Sequence, residues 1–357
     1  MRLPFYKEVE MYTYESFCSV ILRSKEEEIK RIIANAEYKQ VYIPKKHGKR
    51  KLCYLDKNSA LGQLQKRLQK SFFSKQNLPL CVKGFREGEN YLNFLKVHIG
   101  SNFFVRIDIQ NFFPSITSDT VKKEITNIIS GTSAEEKGKI IELVTEIVCT
   151  DNCLPQGAIT SPIVSNIVMA RIDQRITKYC QELNVKYTRY ADDLLFSSSN
   201  FDFKEKKWFL RKIKFILGTL DLRFNYSKIR YGCGKIILNG HIISNSGISL
   251  SRTKLSDVRH MLSFIANNFS YIKNMEGCFL LQLNQIKFQK RNLRNNPFLS
   301  IFQVIQYLCG YRAYLISMIN NDFYETSFQR ELRRLLRRIE KQITILCKEK
   351  YGFNIKL

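Results

Sequence analysis

Two apolar segments of this chain carry acids that a buried strand tolerates poorly. "NFFVRIDI" (102–109) is strand-like and holds Asp108; "KYTRYADDLLFSS" (186–198) reads as a hairpin and holds Asp192 and Asp193 side by side. Adjacent carboxylates repel, and burying either costs free energy unless a cation or partner compensates. Three carboxylates drawn from two strands suit a pair of Mg²⁺ ions, which are hard, take oxygen ligands and keep waters that phosphate oxygens can replace. Two such ions would activate a 3′-hydroxyl and stabilise a leaving pyrophosphate. A plainer alternative makes Asp192-Asp193 a polar hairpin tip and Asp108 a strand-end acid paired with Lys or Arg.

Charge narrows the partner. The 357 residues hold 58 Lys plus Arg against 32 Asp plus Glu, a formal charge of +26, which favours a polyanion such as nucleic acid. An apolar fraction of 44% with 25 Phe fits a globular protein. No run of about 18 apolar residues occurs, so no membrane span is expected. The N-terminal "MRLPFYKEVEMYTYESF" has acids where a signal peptide needs an apolar core. The ten Cys include no CxxC, and Cys149 and Cys153, the closest pair, have no further ligand nearby. Reduced thiols and a cytoplasmic location are the expectation.

The texture changes along the chain. "VYIPKKHGKRKLCYL" (41–55) predicts two strands around a turn at His47-Gly48, and "SALGQLQKRLQKSFF" a helix capped by Ser59. Strands and helices alternate to about 248, including "SDTVKKEITNIIS", "SPIVSNIVMARIDQRITKYCQEL" and the strand pair "KIILNGHIIS". The remainder reads as helical and basic, with 18 Lys plus Arg against 7 Asp plus Glu from 251 onward. Its last helix has an apolar stripe of Phe328, Leu332, Leu335, Ile339, Ile343 and Leu346, with Arg333, Arg334, Arg337 and Arg338 elsewhere on its surface.

The motifs in their order resemble a reverse transcriptase, most closely the bacterial retron-like and group II intron-like branch. "YADD" (190–193) resembles the catalytic turn, and "RIDIQNFFPSI" (106–116) the strand with the first metal-binding Asp. "LPQGAITSPIVSNIVMARID" (154–173) resembles the segment before the catalytic hairpin. "YIPKKHGKR" resembles a fingers motif, "GFREGEN" the stretch before the first catalytic strand, and "RFNYSKIRY" a later palm motif with its Lys. The similarity covers about residues 38 to 245. Each piece is weak alone; the ordered set is specific.

The resemblance implies an α+β right-hand polymerase: fingers over 1–100, a palm over 101–248 made of an antiparallel sheet backed by helices, and a basic helical thumb over 249–357. It implies RNA-directed DNA synthesis with dNTPs and two Mg²⁺, with Mn²⁺ as an alternative. Asp108, Asp192 and Asp193 would be catalytic metal ligands, joined by the carbonyl of Ile109. Phe113, flanked by Asn111 and Phe112 at the nucleotide site, would lie under the sugar and exclude a 2′-hydroxyl; core packing is the alternative. Gln156 and Gly157 would line the nucleotide, and Lys45, Lys46 and Arg50 would neutralise its triphosphate, unless they form a solvated basic hairpin. Lys228 would protonate or neutralise pyrophosphate. His98, His241 and the four arginines of the last helix are candidate nucleic-acid contacts. Trp208 reads as core, Asp119 as a helix cap and Asp173 as surface charge.

Departures bear on the subfamily. "FLKVH" (94–98) stands where many retron enzymes have NAxxH, "LNG" (238–240) where they have VTG, and "LCYLDKNS" (52–59) ends the fingers motif without its Pro. A true retron with a dedicated structured RNA and a related anti-phage defence enzyme both fit, each with a structured non-coding RNA, an RNA–DNA hybrid product and a separately encoded effector protein as partners. A template-independent or protein-primed polymerase and a catalytically silent RNA-binding scaffold are the rival readings.

Overall fold

The computed structural model describes residues 13–44, 49–286, 297–319, 324 and 326–353. The chain divides into two compact units, one of residues 1–97 and 103–231, the other of 98–102 and 232–357.

A four-stranded sheet has the order β4-β5-β3-β6, where β3 is Phe103–Asp108, β4 Lys186–Tyr190, β5 Asp193–Ser198 and β6 Arg230–Cys233; the first unit holds β3, β4, β5 and the start of β6. The sequence explains the order: a two-residue turn folds β4 onto β5, and β5 then pairs antiparallel with β3. Alternation divides the sheet's faces. Val105 and Ile107 of β3 stand opposite Phe196 and Leu194 of β5, and all four join the main core. Arg106, Asp108 and Asp193 take the other parity. Helices cover the apolar face, among them Ser161–Glu182 and Lys207–Gly218. Phe209 of the latter meets Phe196 edge-on and stacks on Tyr179 of the former.

A hairpin precedes the sheet in sequence. β1 (Lys39–Pro44) pairs antiparallel with β2 (Lys49–Tyr54), in the register Pro44↔Lys49. The predicted turn at 47–48 lies outside the described residues. The helix Ala60–Ser71 starts at Ser59, whose side chain accepts from the Gly62 amide at 3.1 Å. The helix Ser118–Ile128 is capped by Thr117 rather than by Asp119, which falls within its first turn.

The second unit holds a meander of β7 (Lys235–Leu238), β8 (His241–Ser244) and β9 (Gly247–Leu250), and the helices Arg252–Asn268, Glu276–Gln285, Ile301–Ile319 and Thr326–Tyr351. The β7–β8 turn is Asn239-Gly240, both in left-handed backbone, as a two-residue hairpin loop demands. The last helix buries Phe328, Leu332, Leu335, Ile339, Ile343 and Leu346, the stripe read from the sequence. No helix among the described residues is long and apolar enough to cross a membrane.

Candidate active site

The sheet register assembles the acids. Asp108 is the last residue of β3 and stands directly opposite Asp193, the first of β5. The Ile109 amide donates to the Asp192 carbonyl at 3.0 Å, which ties the end of β3 to the turn. Beyond β3 the chain is held from the other side: the Asn225 amide donates to the Asp108 carbonyl at 2.8 Å, and the Gln110 amide to the Arg223 carbonyl at 2.9 Å. These bonds bring the "RFNYSKIRY" segment alongside Asp108.

Two cations answer the acids. Lys228 Nζ lies 2.9 and 3.0 Å from the two Asp108 carboxylate oxygens. Arg106, two residues before Asp108 on the same face, pairs with Asp193 and lies 3.6 Å from Asp108. Repulsion still shows. Burial, and then the charge of Asp108, push the Asp192 carboxyl above its ordinary range. Burial pushes Asp193 up to about 6 in spite of Arg106, with Asp192 and Asp108 adding to the rise.

Among the described residues no three His, Cys, Asp or Glu side chains already converge as a metal cage. The donor set nevertheless fits a hard divalent cation: three carboxylates from adjoining positions, with mutual repulsion that such a cation relieves. Arg106 and Lys228 would have to yield carboxylate oxygens to it. Lys228, the residue expected to protonate or neutralise pyrophosphate, stands on Asp108 here.

The turn itself is pinned from below. Ala191 has φ 57°, a left-handed conformation that costs a non-glycine residue about 1 kcal/mol. The fully buried Arg189 holds it: Nη1 donates to the Ala191 carbonyl at 3.1 Å and to Asn166 Oδ1 at 3.0 Å. Nε and Nη2 of the same guanidinium bond Asp173, whose Oδ1 also accepts from Tyr187. Asn166 in turn donates to the Gly84 carbonyl at 2.9 Å. A Cβ at Gly84 would lie 2.6 Å from the Ala191 nitrogen, so only glycine lets this backbone approach. Asp173, read from the sequence as surface charge, is therefore a buried ion-pair partner. Arg189, Asn166 and Gly84 carry no local signal of this role, because the contacts join segments far apart in the chain.

The nucleotide candidates divide. Phe113 is half-buried, 5.4 Å from Phe112 and 6.2 Å from the exposed Phe85, ring to ring. Asn111 is exposed in left-handed backbone. Phe112 is 4% exposed and packs in the core, so its ring is withdrawn from any nucleotide. Gly157 sits against β2: its φ is 128°, and a Cβ there would meet the Cys53 carbonyl oxygen at 2.6 Å. The Gln156 carbonyl accepts from the Cys53 amide at 2.9 Å. The Gln-Gly step thus fastens the β1–β2 hairpin to the segment that leads into the helix Ser161–Glu182. Lys45 and Lys46 lie outside the described residues, as does the Arg50 side chain.

The two histidines are corrected. His98 is fully buried, and His241 is 6% exposed with Nε2 3.5 Å from the Tyr314 hydroxyl. Neither offers a surface to a phosphate. Arg333, Arg334, Arg337 and Arg338 are all exposed. Trp208, expected in the core, is 42% exposed.

Residues 29–272 match the family model described as reverse transcriptase (RNA-dependent DNA polymerase). The chain belongs to the reverse transcriptase family. It is 28% identical over 258 residues to the retron Ec86 reverse transcriptase of Escherichia coli, covering 70% of this chain and 78% of that protein. It is 26% identical over 313 residues to the retron Ec73 reverse transcriptase of the same species, covering 79% and 95%. A retron enzyme of Myxococcus xanthus, Mx162, is 31% identical over a shorter 136 residues, 34% of this chain and 28% of that one. These relatives set the protein among retron-like bacterial reverse transcriptases. It is an RNA-directed DNA polymerase with an α+β fold.

Proposed function

We propose that this reverse transcriptase extends a primer on a structured non-coding RNA by two-metal nucleotidyl transfer, with Asp108, Asp192 and Asp193 as the metal-binding carboxylates. The observation that carries the reading is the register Asp108↔Asp193, together with the Ile109–Asp192 backbone bond. Bound Mg²⁺ would lower the charge of the triphosphate and favour ionisation of the primer 3′-hydroxyl. The protein's own part is positional. The pinned turn fixes Asp192 beside Asp108, and Arg106 and Lys228 balance the acids at the sheet's end. Phe113 is the candidate floor under the sugar of the incoming dNTP. Lys228 is half-exposed at the rim and neutralises charge from the Asp108 side. The Arg-rich face of the last helix suits phosphate contacts that hold an RNA–DNA hybrid without reading its sequence. The relatives' being retron reverse transcriptases supports a retron-type RNA as template; a role in anti-phage defence and a separately encoded effector are further parts of the proposal.

Purified protein supplied with an annealed RNA template and DNA primer should incorporate labelled dNTPs in the presence of Mg²⁺. Asp192→Asn should abolish incorporation and leave RNA binding within about twofold. Near-normal synthesis by that variant would remove the proposed role of the carboxylates.

A further inference from the structure

The helix Lys207–Gly218, "KWFLRKIKFILG", uses its apolar face completely and still exposes two large aromatics. Phe209, Ile213, Ile216 and Leu217 are buried, and Phe209 is fixed among Tyr179, Phe196, Phe201 and Phe203. On the outer face Trp208 is 42% and Phe215 63% exposed. Lys207, Arg211, Lys212 and Lys214 are exposed around them, and the helix contains no acid. Glu205 and Asp221 lie only beyond its two ends.

The cations and rings are interleaved. Lys212 Nζ is 5.4 Å from the Phe215 ring centre, and Lys214 Nζ is 5.7 Å from that of Tyr226, itself 62% exposed. Tyr226 lies two residues before Lys228, whose ammonium contacts Asp108. The patch therefore runs from the outer side of the 207–218 helix to the rim of the catalytic centre.

We propose that this face binds an unpaired stretch of RNA, its bases stacking on Trp208 and Phe215 and its phosphates meeting Lys207, Arg211, Lys212 and Lys214. The inference rests on the reading that an RNA accompanies the enzyme, and it adds a second contact area outside the carboxylate site. A polyanion matches a helix with four cations and no acid. Flat exposed rings between cations match single-stranded bases, since every base has a stacking face and a paired duplex hides it. A membrane fits poorly, because the helix has spent its aliphatic side chains on the core and keeps only isolated rings among charges.

The test uses the full-length protein, a fluorescent single-stranded oligouridylate, and a blunt RNA–DNA hybrid of equal length. Trp208→Ala with Phe215→Ala should weaken oligouridylate binding roughly 10- to 100-fold, since each base–aromatic stack is worth about one decade. Replacing Lys207, Arg211, Lys212 and Lys214 with Gln should flatten the slope of log affinity against log salt by about 2 to 3. Binding of the hybrid should change less than threefold, and extension of a pre-annealed primer should match the parent. Parental affinity and slope for oligouridylate in both variants would overturn the proposal and leave the patch to a protein partner. Equal losses for the hybrid would overturn its single-strand character. A parent protein that extends no primer would refute the polymerase reading alone, because the binding comparison needs no synthesis.

Discussion

Replacing Asp193 with Asn should make the metal-free protein more stable while destroying its activity. The carboxyl titrates at about 6, against an ordinary value of 3.8, and this already includes the attraction of Arg106. A raised acid pKa means that the folded state holds its proton more tightly than the unfolded chain does. Above pH 6 the folded protein carries a buried charge that the unfolded chain carries in water, so the fold is penalised there by about 3 kcal/mol. The penalty shrinks as pH falls through 6, is about half at pH 5, and about a fifth at pH 4. Asn keeps the shape without the charge. Arg106 retains Asp108 at 3.6 Å, so the substitution does not strand a buried cation. Urea denaturation in EDTA at pH 8 should show Asp193→Asn more stable than the parent by about 1 to 3 kcal/mol, with the advantage reduced at pH 5. Added Mg²⁺ should stabilise the parent more than the variant and narrow the gap. A variant less stable than the parent at pH 8, or a gain that ignores pH, would refute the reasoning: the carboxylate would then be a net contributor to folding.

Phe113→Ala or Phe113→Val should admit ribonucleotides by opening space beneath C2′, measured as the ratio of kcat/KM for dNTP over rNTP; an unchanged ratio would return the ring to a packing role. Replacing Arg333, Arg334, Arg337 and Arg338 with Gln should shorten products and flatten the salt dependence of hybrid binding, with single-nucleotide addition less affected. An identical salt slope would count against phosphate contacts there. Asp173→Asn removes the partner of a fully buried guanidinium and should destabilise the protein by about 3 to 5 kcal/mol in a urea titration. A loss under 1 kcal/mol would show that the neutral amide satisfies Arg189.

What the sequence made legible was local or ordered. Ser59 capped its helix because the cap and its target lie three residues apart. The β1–β2 and β7–β8 hairpins followed from turn residues between short apolar runs. The juxtaposition of Asp108 with Asp192-Asp193 was readable only from the ordered motifs that resemble a reverse transcriptase, since the acids by themselves equally fit a polar hairpin tip and a strand-end ion pair. What stayed hidden depended on tertiary partners. Asp173 on a helix looks the same whether it meets water or Arg189. Phe112 and Phe113 are neighbours of one type, and only the backbone beyond β3 decides which enters the core. His98 and His241 drew attention as polar residues in motif-like positions, yet burial excludes them from phosphate contact. A tryptophan on an amphipathic helix normally packs inward, but Phe209 already fills that place and leaves Trp208 at the surface.

The contact between Gly84 and Ala191 has a mechanical consequence. The Lys83 amide donates to the Arg189 carbonyl and the Arg189 amide to the Cys81 carbonyl, both at 2.8 Å, so the 81–84 strip is laced to β4, the strand that ends in the turn carrying Asp192. Gly84 then fills the space behind the turn with backbone. The strip cannot shift without displacing the peptide that carries Asp192. Phe85, the next residue, is exposed and itself in left-handed backbone, at φ 56°. Phe85 is thereby held two peptide contacts from Asp192, through Gly84 and Ala191. Strip and turn behave as a lever with a short arm, and its stiffness comes from the missing side chain at position 84.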